Sequence, residues 1–139
     1  PYDITIETNG TQELTQEFHN YFGFYDKELF FSVSPKIFGT SGEQDAVKPD
    51  VIKTYHDLSD KGQLKFVCNG TDESWDEIED AIQKCRDVGI KYPVWIMPVG
   101  ALEETQKDNA AEIAEQTMDR GYNVSARVHC YIWGNQIGT

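Results

Sequence analysis

The 139-residue sequence predicts an α/β protein, a parallel sheet with crossover helices. Three observations lead there. Short runs rich in β-branched and aromatic residues recur along the chain, and between them apolar residues return at helical spacing. The runs stop at Asn-Gly, Ser-Pro or Met-Pro, which punctuate strands rather than continue them. No repeat period or low-complexity tract argues for another architecture, and strands alternating with helices are the signature of crossover connections. The length suits one domain covering residues 1–139, able to bury about two-thirds of its unfolded surface.

The elements follow in order. Tyr2 to Glu7 alternates and is β-branched, a strand that ends in Thr8-Asn9-Gly10-Thr11, where glycine permits a sharp turn. Thr11 is a candidate cap for a helix with Leu14, Phe18, Tyr21 and Phe22 at helical spacing. Glu28 to Ser34 is a second strand, stopped by Pro35. Residues 38–48 read as a loop, after which Pro49 fits the first turn of a helix with Val51, Ile52, Tyr55 and Leu58 inward and Gly62 closing it. Gln63 to Cys68 is a third strand, ending in Asn69-Gly70. Ser74 and Glu77 have capping-box spacing, and Trp75, Ile78, Ile82, Cys85 and Val88 form the inner stripe of a helix closed by Gly89. Tyr92 to Met97 is a fourth strand broken by Pro98. A helix from 103 to 120 carries Ala111, Ala114 and Met118 on one side, with Gly121 beyond it. The tail from Ser125 alternates again, Val128, Cys130 and Ile132 against Arg127, His129, Tyr131 and Trp133, and predicts a last strand with a basic and aromatic row on one face.

Charge narrows the partners. Lys and Arg number 12 against 24 Asp and Glu, and the net charge of -12 disfavours nucleic-acid backbones and anionic membrane surfaces. A small, buried ligand is the expected partner. No apolar run approaches the roughly 20 residues that span a bilayer, and the first residues carry no signal pattern, so a soluble, cytoplasmic protein is expected. Cys68, Cys85 and Cys130 are odd in number and widely spaced, which reads as buried thiols rather than a disulfide framework or a metal knot.

In a parallel α/β sheet or barrel, ligands bind at the carboxyl ends of the strands. That rule selects Glu7-Thr8-Asn9-Gly10-Thr11, Ser32-Val33-Ser34-Pro35-Lys36, Cys68-Asn69-Gly70, Met97-Pro98-Val99-Gly100 and the tail around His129. Each has an ordinary reading. Asn9-Gly10 and Asn69-Gly70 are common turn dipeptides, Lys36 is equally a solvated lysine or a partner for a ligand carboxylate, His129 suits a structural role as well as a functional one, and Trp133 packs. The coincidence of all five ends carries the information.

Glu7 to Thr11, Ser32 to Lys36, Leu64-Lys65-Phe66-Val67, Trp95 to Gly100, and Ser125 through Gly138 with its Arg-x-His and Trp-Gly resemble in order the carboxyl-terminal two-thirds of 7-carboxy-7-deazaguanine synthase. The resemblance implies a radical S-adenosylmethionine (SAM) lyase with a partial (βα) barrel, of which this chain is the carboxyl-terminal part. It implies ring contraction of 6-carboxy-5,6,7,8-tetrahydropterin to 7-carboxy-7-deazaguanine with release of ammonia, in queuosine or other deazapurine biosynthesis. S-Adenosylmethionine, a 4Fe-4S cluster and Mg2+ are the implied cofactors. Ser34, Pro35 and Lys36 would line the SAM site, joined by Asn9 and by Met97, Pro98, Val99 and Gly100, the last turn acting through backbone groups. Arg127, His129 and the terminal Thr139 would face the pterin.

The chain departs from the family where glutamine usually precedes the proline of the fourth strand end, here Met97, and it lacks both the Cys-x3-Cys-x2-Cys loop and the Gly-Gly-Glu-Pro strand. Those segments, with the cluster and Mg2+ ligands, are expected upstream of Pro1, so the chain alone is expected to be inactive and to pair with that amino-terminal portion or with itself as a homodimer. Two alternatives stand beside this reading. One is another radical SAM enzyme with a different substrate; the other is a non-catalytic α/β ligand-binding or regulatory domain whose strand-end residues are only turns.

Overall fold

The computed structural model describes residues 3–23, 28–99 and 103–126. Five strands, β1 (Ile4–Thr8), β2 (Leu29–Val33), β3 (Gly62–Cys68), β4 (Val94–Pro98) and β5 (Asn123–Val124), lie side by side in chain order, and every neighbouring pair is parallel. Helices α1 (Gln16–Gly23), α2 (Phe38–Ser41), α3 (Pro49–Leu58), α4 (Asp72–Asp87) and α5 (Glu103–Asp119) fill the connections. The predicted parallel α/β class is the observed one.

Strands added in one direction by crossovers of one hand receive their helices on one side of the sheet. The core shows that arrangement. Leu29, Phe31 and Val33 of β2, Leu64, Phe66 and Cys68 of β3, and Val94 and Ile96 of β4 form one cluster with Ile52 and Tyr55 of α3, Trp75, Ile78, Ile82 and Cys85 of α4, and Ile113 of α5. The alternate residues face the other way. Register pairs Glu7 with Ser32, Ser32 with Gln63, and Lys65 with Trp95, so Thr5, Glu7, Phe30, Ser32, Gln63, Lys65, Val67, Trp95 and Met97 share the second face. None of them belongs to the core cluster. Open parallel sheets are ordinarily covered on both faces, and one with helices on a single side is compatible with the wall of a partial (βα) barrel.

Several local expectations give way to tertiary contacts. The cap of α1 is Thr15, whose hydroxyl accepts from Phe18 N at 3.1 Å, because the Thr11 hydroxyl donates instead to Asn9 Oδ1 at 2.8 Å. Part of the expected 38–48 loop winds into α2, whose Phe38 and Gly39 amides donate to the Glu77 carboxylate at 2.8 and 3.1 Å. Glu77 is thereby spent across the fold rather than in a capping box, and α4 is capped by the Thr71 hydroxyl, which accepts from Ser74 N at 3.2 Å.

Gly62 is the first residue of β3, not the stop of α3. A Cβ there would lie 2.6 Å from both the Phe31 carbonyl oxygen and the Tyr92 ring, so close strand approach explains the glycine. On α5 the buried pair is Ile113 and Thr117, while Ala111 and Met118 are exposed. The fourth strand begins at Val94, with Tyr92 buried ahead of it, and retains Pro98 as its last residue. Of the expected tail strand, the described part is β5, which starts two residues before Ser125, and the Ser125 amide donates to Ile96 O at 2.8 Å.

Candidate functional site

The site begins where β1 and β2 end together. Thr8 is in register with Val33, and Ser34 N donates to Thr8 O at 2.8 Å, so β2 stays tied to β1 up to Pro35. Beyond Thr8 the chain turns sharply at Gly10, whose φ is +78° and whose amide donates to the Thr8 hydroxyl at 3.1 Å. Pro35 is buried and sends the following chain away from the sheet. The ends enclose a cleft of about 320 Å3 lined by Glu7, Asn9, Ser32, Ser34, Lys36 and Lys65 together with Thr8.

The ion pairs among the described residues lie outside this cleft, where Lys48, Arg86 and Lys91 also form none. Lys53, Lys61, Lys84 and Arg120 pair with Asp57, Glu28, Asp80 and Glu79. Lys36 and Lys65 have no such partner among the described residues, and Glu7 is the single carboxylate in the lining. Ser32 Oγ accepts from Gln63 Nε2 at 2.9 Å, which fixes the floor. A cleft offering two ammonium groups, hydroxyls and one carboxylate suits a small ligand bearing an anionic group and hydroxyls. A second cleft of about 310 Å3 lies beside α2 and α4 and shares Lys36 with the first; Glu77 there is bound to the α2 amides and Asp80 to Lys84, while Glu43 and Asp45 form no ion pair among the described residues.

The comparisons with known proteins bear on this site. No family model matches the chain, and no solved structure does. Among curated proteins it is 26% identical over 136 residues to the 7-carboxy-7-deazaguanine synthase of Pyrobaculum aerophilum, an alignment covering 97% of this chain and 54% of that protein. The chain is distantly related to that synthase. It spans about half the length of the curated relative it matches.

Of the residues expected to bind SAM, Asn9, Ser34 and Lys36 come together in the first cleft. Asn9 Oδ1 is already committed to the Thr11 amide and hydroxyl at 3.2 and 2.8 Å, so its amide nitrogen is the group it offers a ligand. Pro35 shapes the backbone from a buried position instead of lining the cleft. Met97 lies on the open face of β4, and Pro98 is in register with Cys68 at the same carboxyl edge of the sheet. The Val99 amide donates to Cys68 O at 2.7 Å. Gly100, Arg127, His129, Thr139 and Cys130 lie outside the described residues.

The described residues do not fit an iron-sulfur cluster or a magnesium site. Cys68 and Cys85 are buried, and among the described residues no three His, Cys, Asp or Glu side chains are grouped to hold a metal. Cys68 Sγ instead accepts from the Gly70 amide at 3.4 Å, at the turn into α4. No described helix is long and apolar enough to cross a membrane.

Sequence reasoning named Ser32 only as part of a strand end and passed over Lys65, which lines the cleft. One signal was present: a lysine at the centre of Leu64-Lys65-Phe66 is out of place in a parallel strand covered on both faces. Its presence agrees with a face of β3 that none of the core helix residues covers.

Proposed function

We propose that this chain forms the ligand-binding wall of a radical SAM enzyme akin to 7-carboxy-7-deazaguanine synthase, acting on 6-carboxy-5,6,7,8-tetrahydropterin to contract its ring with release of ammonia. The observation that carries the reading is the convergence of Asn9, Ser34 and Lys36 with Glu7 in one cleft at the carboxyl ends of parallel strands. Lys36 pairs its ammonium with the methionyl carboxylate, the Ser34 hydroxyl and the Asn9 amide nitrogen hydrogen-bond the ligand's polar atoms, and Glu7 accepts from ribose hydroxyls. SAM held there would supply the hydrogen-abstracting chemistry after one-electron reduction by a low-potential centre outside the described residues. In this reading Met97, Pro98, Val99 and Gly100 are assigned to the adenine side, and Arg127, His129 and Thr139 to the pterin.

An amino-terminal portion carrying the cluster and Mg2+ ligands is the proposed partner. β1 pairs with β2 on one side and with no other described strand, so its outer edge suits a further strand. A homodimer is the other partner this edge allows.

The direct test is calorimetric titration of SAM into the intact protein. Lys36→Ala is expected to weaken binding by about 10- to 100-fold, as for loss of a charge-assisted hydrogen bond. An unchanged affinity would remove Lys36 from the site. Unchanged turnover of the carboxypterin in a His129→Ala variant of the complete enzyme would remove the substrate assignment.

A further inference from the structure

We propose that Glu77 is the positioning residue for Lys36: its carboxylate, bound to the start of α2, fixes the stretch of chain that presents the Lys36 ammonium to the strand-end cleft. This role rests on the SAM reading of that cleft and adds a residue of α4 that does not line it.

Lys36 sits between two anchors. On its amino side Ser34 N donates to Thr8 O at 2.8 Å and Pro35 is buried, so the chain is tied to β1 up to the proline. On its carboxyl side Ile37 is buried and α2 begins at Phe38. A helix of four residues does not hold its own shape, and the first amides of any helix have no partner within it. Ile37, the residue before it, supplies no side-chain cap. Glu77 takes that place: Phe38 N donates to Oε2 at 2.8 Å and Gly39 N to Oε1 at 3.1 Å, one amide to each carboxylate oxygen. A Cβ on residue 39 would lie 3.0 Å from Glu77 Oε1, so a glycine fits against the carboxylate. Glu77 itself rides on a helix whose Ser74, Trp75, Ile78, Ala81 and Ile82 are buried. The start of α2 is thereby referenced to the core.

Lys36 needs such a reference because it borders both clefts. The strand-end cleft holds one carboxylate, Glu7, whereas the second holds Glu43, Asp45, Glu77 and Asp80, and Lys36 forms an ion pair with none of these. A lysine is a point charge on a flexible four-carbon stem, so its affinity for a ligand depends on where its backbone starts and on how few orientations it must give up. Two amides bound to Glu77 set that start. They also occupy the Glu77 oxygens, which removes the carboxylate as a rival for the ammonium. Ser34 keeps its own tie to Thr8, so the latch governs Lys36 and not the hydroxyl beside it.

The test titrates SAM calorimetrically into the intact protein and its variants, and follows hydrogen exchange of the Phe38 and Gly39 amides by NMR. Glu77→Ala is expected to weaken SAM by about 10-fold and to speed exchange of both amides by about 10-fold. Glu77→Gln, which keeps the shape and one acceptor and so protects the fold, is expected to weaken SAM by only about 3-fold. In a Lys36→Ala background, Glu77→Ala is expected to add no further loss, because the latch acts through the missing ammonium. A merely structural Glu77 would behave otherwise: SAM affinity of the folded variants would be unchanged, with Ile37 alone setting Lys36, or the loss would add in full to that of Lys36→Ala. Either result overturns the proposal and leaves the SAM reading standing. If Lys36→Ala by itself leaves SAM affinity unchanged, the SAM reading falls and exchange decides the latch. Faster exchange at Lys36 through Gly39 in Glu77→Ala then upholds it, and unchanged exchange overturns it.

Discussion

The same tripeptide closes two strands of this sheet and is put to two uses. Asn9-Gly10-Thr11 comes after β1 and Asn69-Gly70-Thr71 after β3. In both, the asparagine Oδ1 accepts from the threonine amide and hydroxyl, at 3.2 and 2.8 Å in the first and 3.0 and 2.7 Å in the second. In both, the glycine is left-handed, with φ of +78° and +83°. The second threonine goes on to cap α4 directly. The first caps nothing, and its chain continues to Thr15 before α1 begins. Where the helix begins at once, the strand end is sealed, and Cys68 is fully buried. Where it is delayed, the strand end opens, and Glu7, Thr8 and Asn9 line the cleft. The turn chemistry is local; whether the turn makes a site depends on how soon the next helix starts.

The strongest way to break the parallel is to add a Cβ at each glycine. In Gly10→Ala the new atom would sit 2.9 Å from Val33 Cγ1 and 3.0 Å from Ile52 Cγ1, and in Gly70→Ala 3.0 Å from Ile113 Cγ1. Left-handed backbone plus crowding is expected to cost about 2–4 kcal/mol, more at Gly10, as measured by denaturant unfolding. Equal stability of Gly10→Ala and the parent would mean that this turn is not packed as described.

Alkaline pH separates the two turns more gently, because α4 buries its contacts and α1 has no buried residue. Burial pushes the Cys85 thiol from 9.0 up to about 11. Burial and the neighbouring Glu79 raise the Tyr122 hydroxyl, which donates to Glu79 at 2.6 Å, to about 12. For an acid raised in the folded state, the stabilisation is fully present below the unfolded pKa and is lost as pH climbs through the folded one. Stability is therefore expected to fall by roughly 1–2 kcal/mol between about pH 9 and 11, and Cys85→Ala to flatten the part below about pH 10, above which burial of Tyr92 and Tyr122 also costs stability. A flat profile in the parent protein would contradict the burial of α4.

The smallest effect is the cleanest comparison. Thr71→Ala removes a helix cap and should cost about 1 kcal/mol, whereas Thr11→Ala removes only the turn's own hydrogen bond and should cost a few tenths. Equal losses would erase the distinction between the sealed and the open strand end.

The alternation of strand and helix was legible because each signal is local. Leu64 and Phe66 alternate with Lys65, Trp75 to Cys85 repeat at helical spacing, and Pro49 opens a helix, all without reference to distant residues. Three of the expected site residues, Asn9, Ser34 and Lys36, also meet, because carboxyl ends of adjacent parallel strands are neighbours by construction. Sequence and structure part company where a residue has two possible partners. Glu77 could have turned back on its own helix but meets the α2 amides 38 and 39 residues away in sequence, and Gly62 could have ended a helix but makes room for Tyr92.

By itself, then, the sequence determined the order of strands and helices, the turns that separate them and the set of polar strand ends, since propensity, periodicity and turn chemistry act over a few residues. Only the tertiary structure decided that the helices gather on one face, that Lys65 and Trp95 stand together on the other, and that one Asn-Gly-Thr turn opens while its twin is sealed. These depend on register between strands far apart in the chain, and a register is a relation between segments that neither segment carries alone.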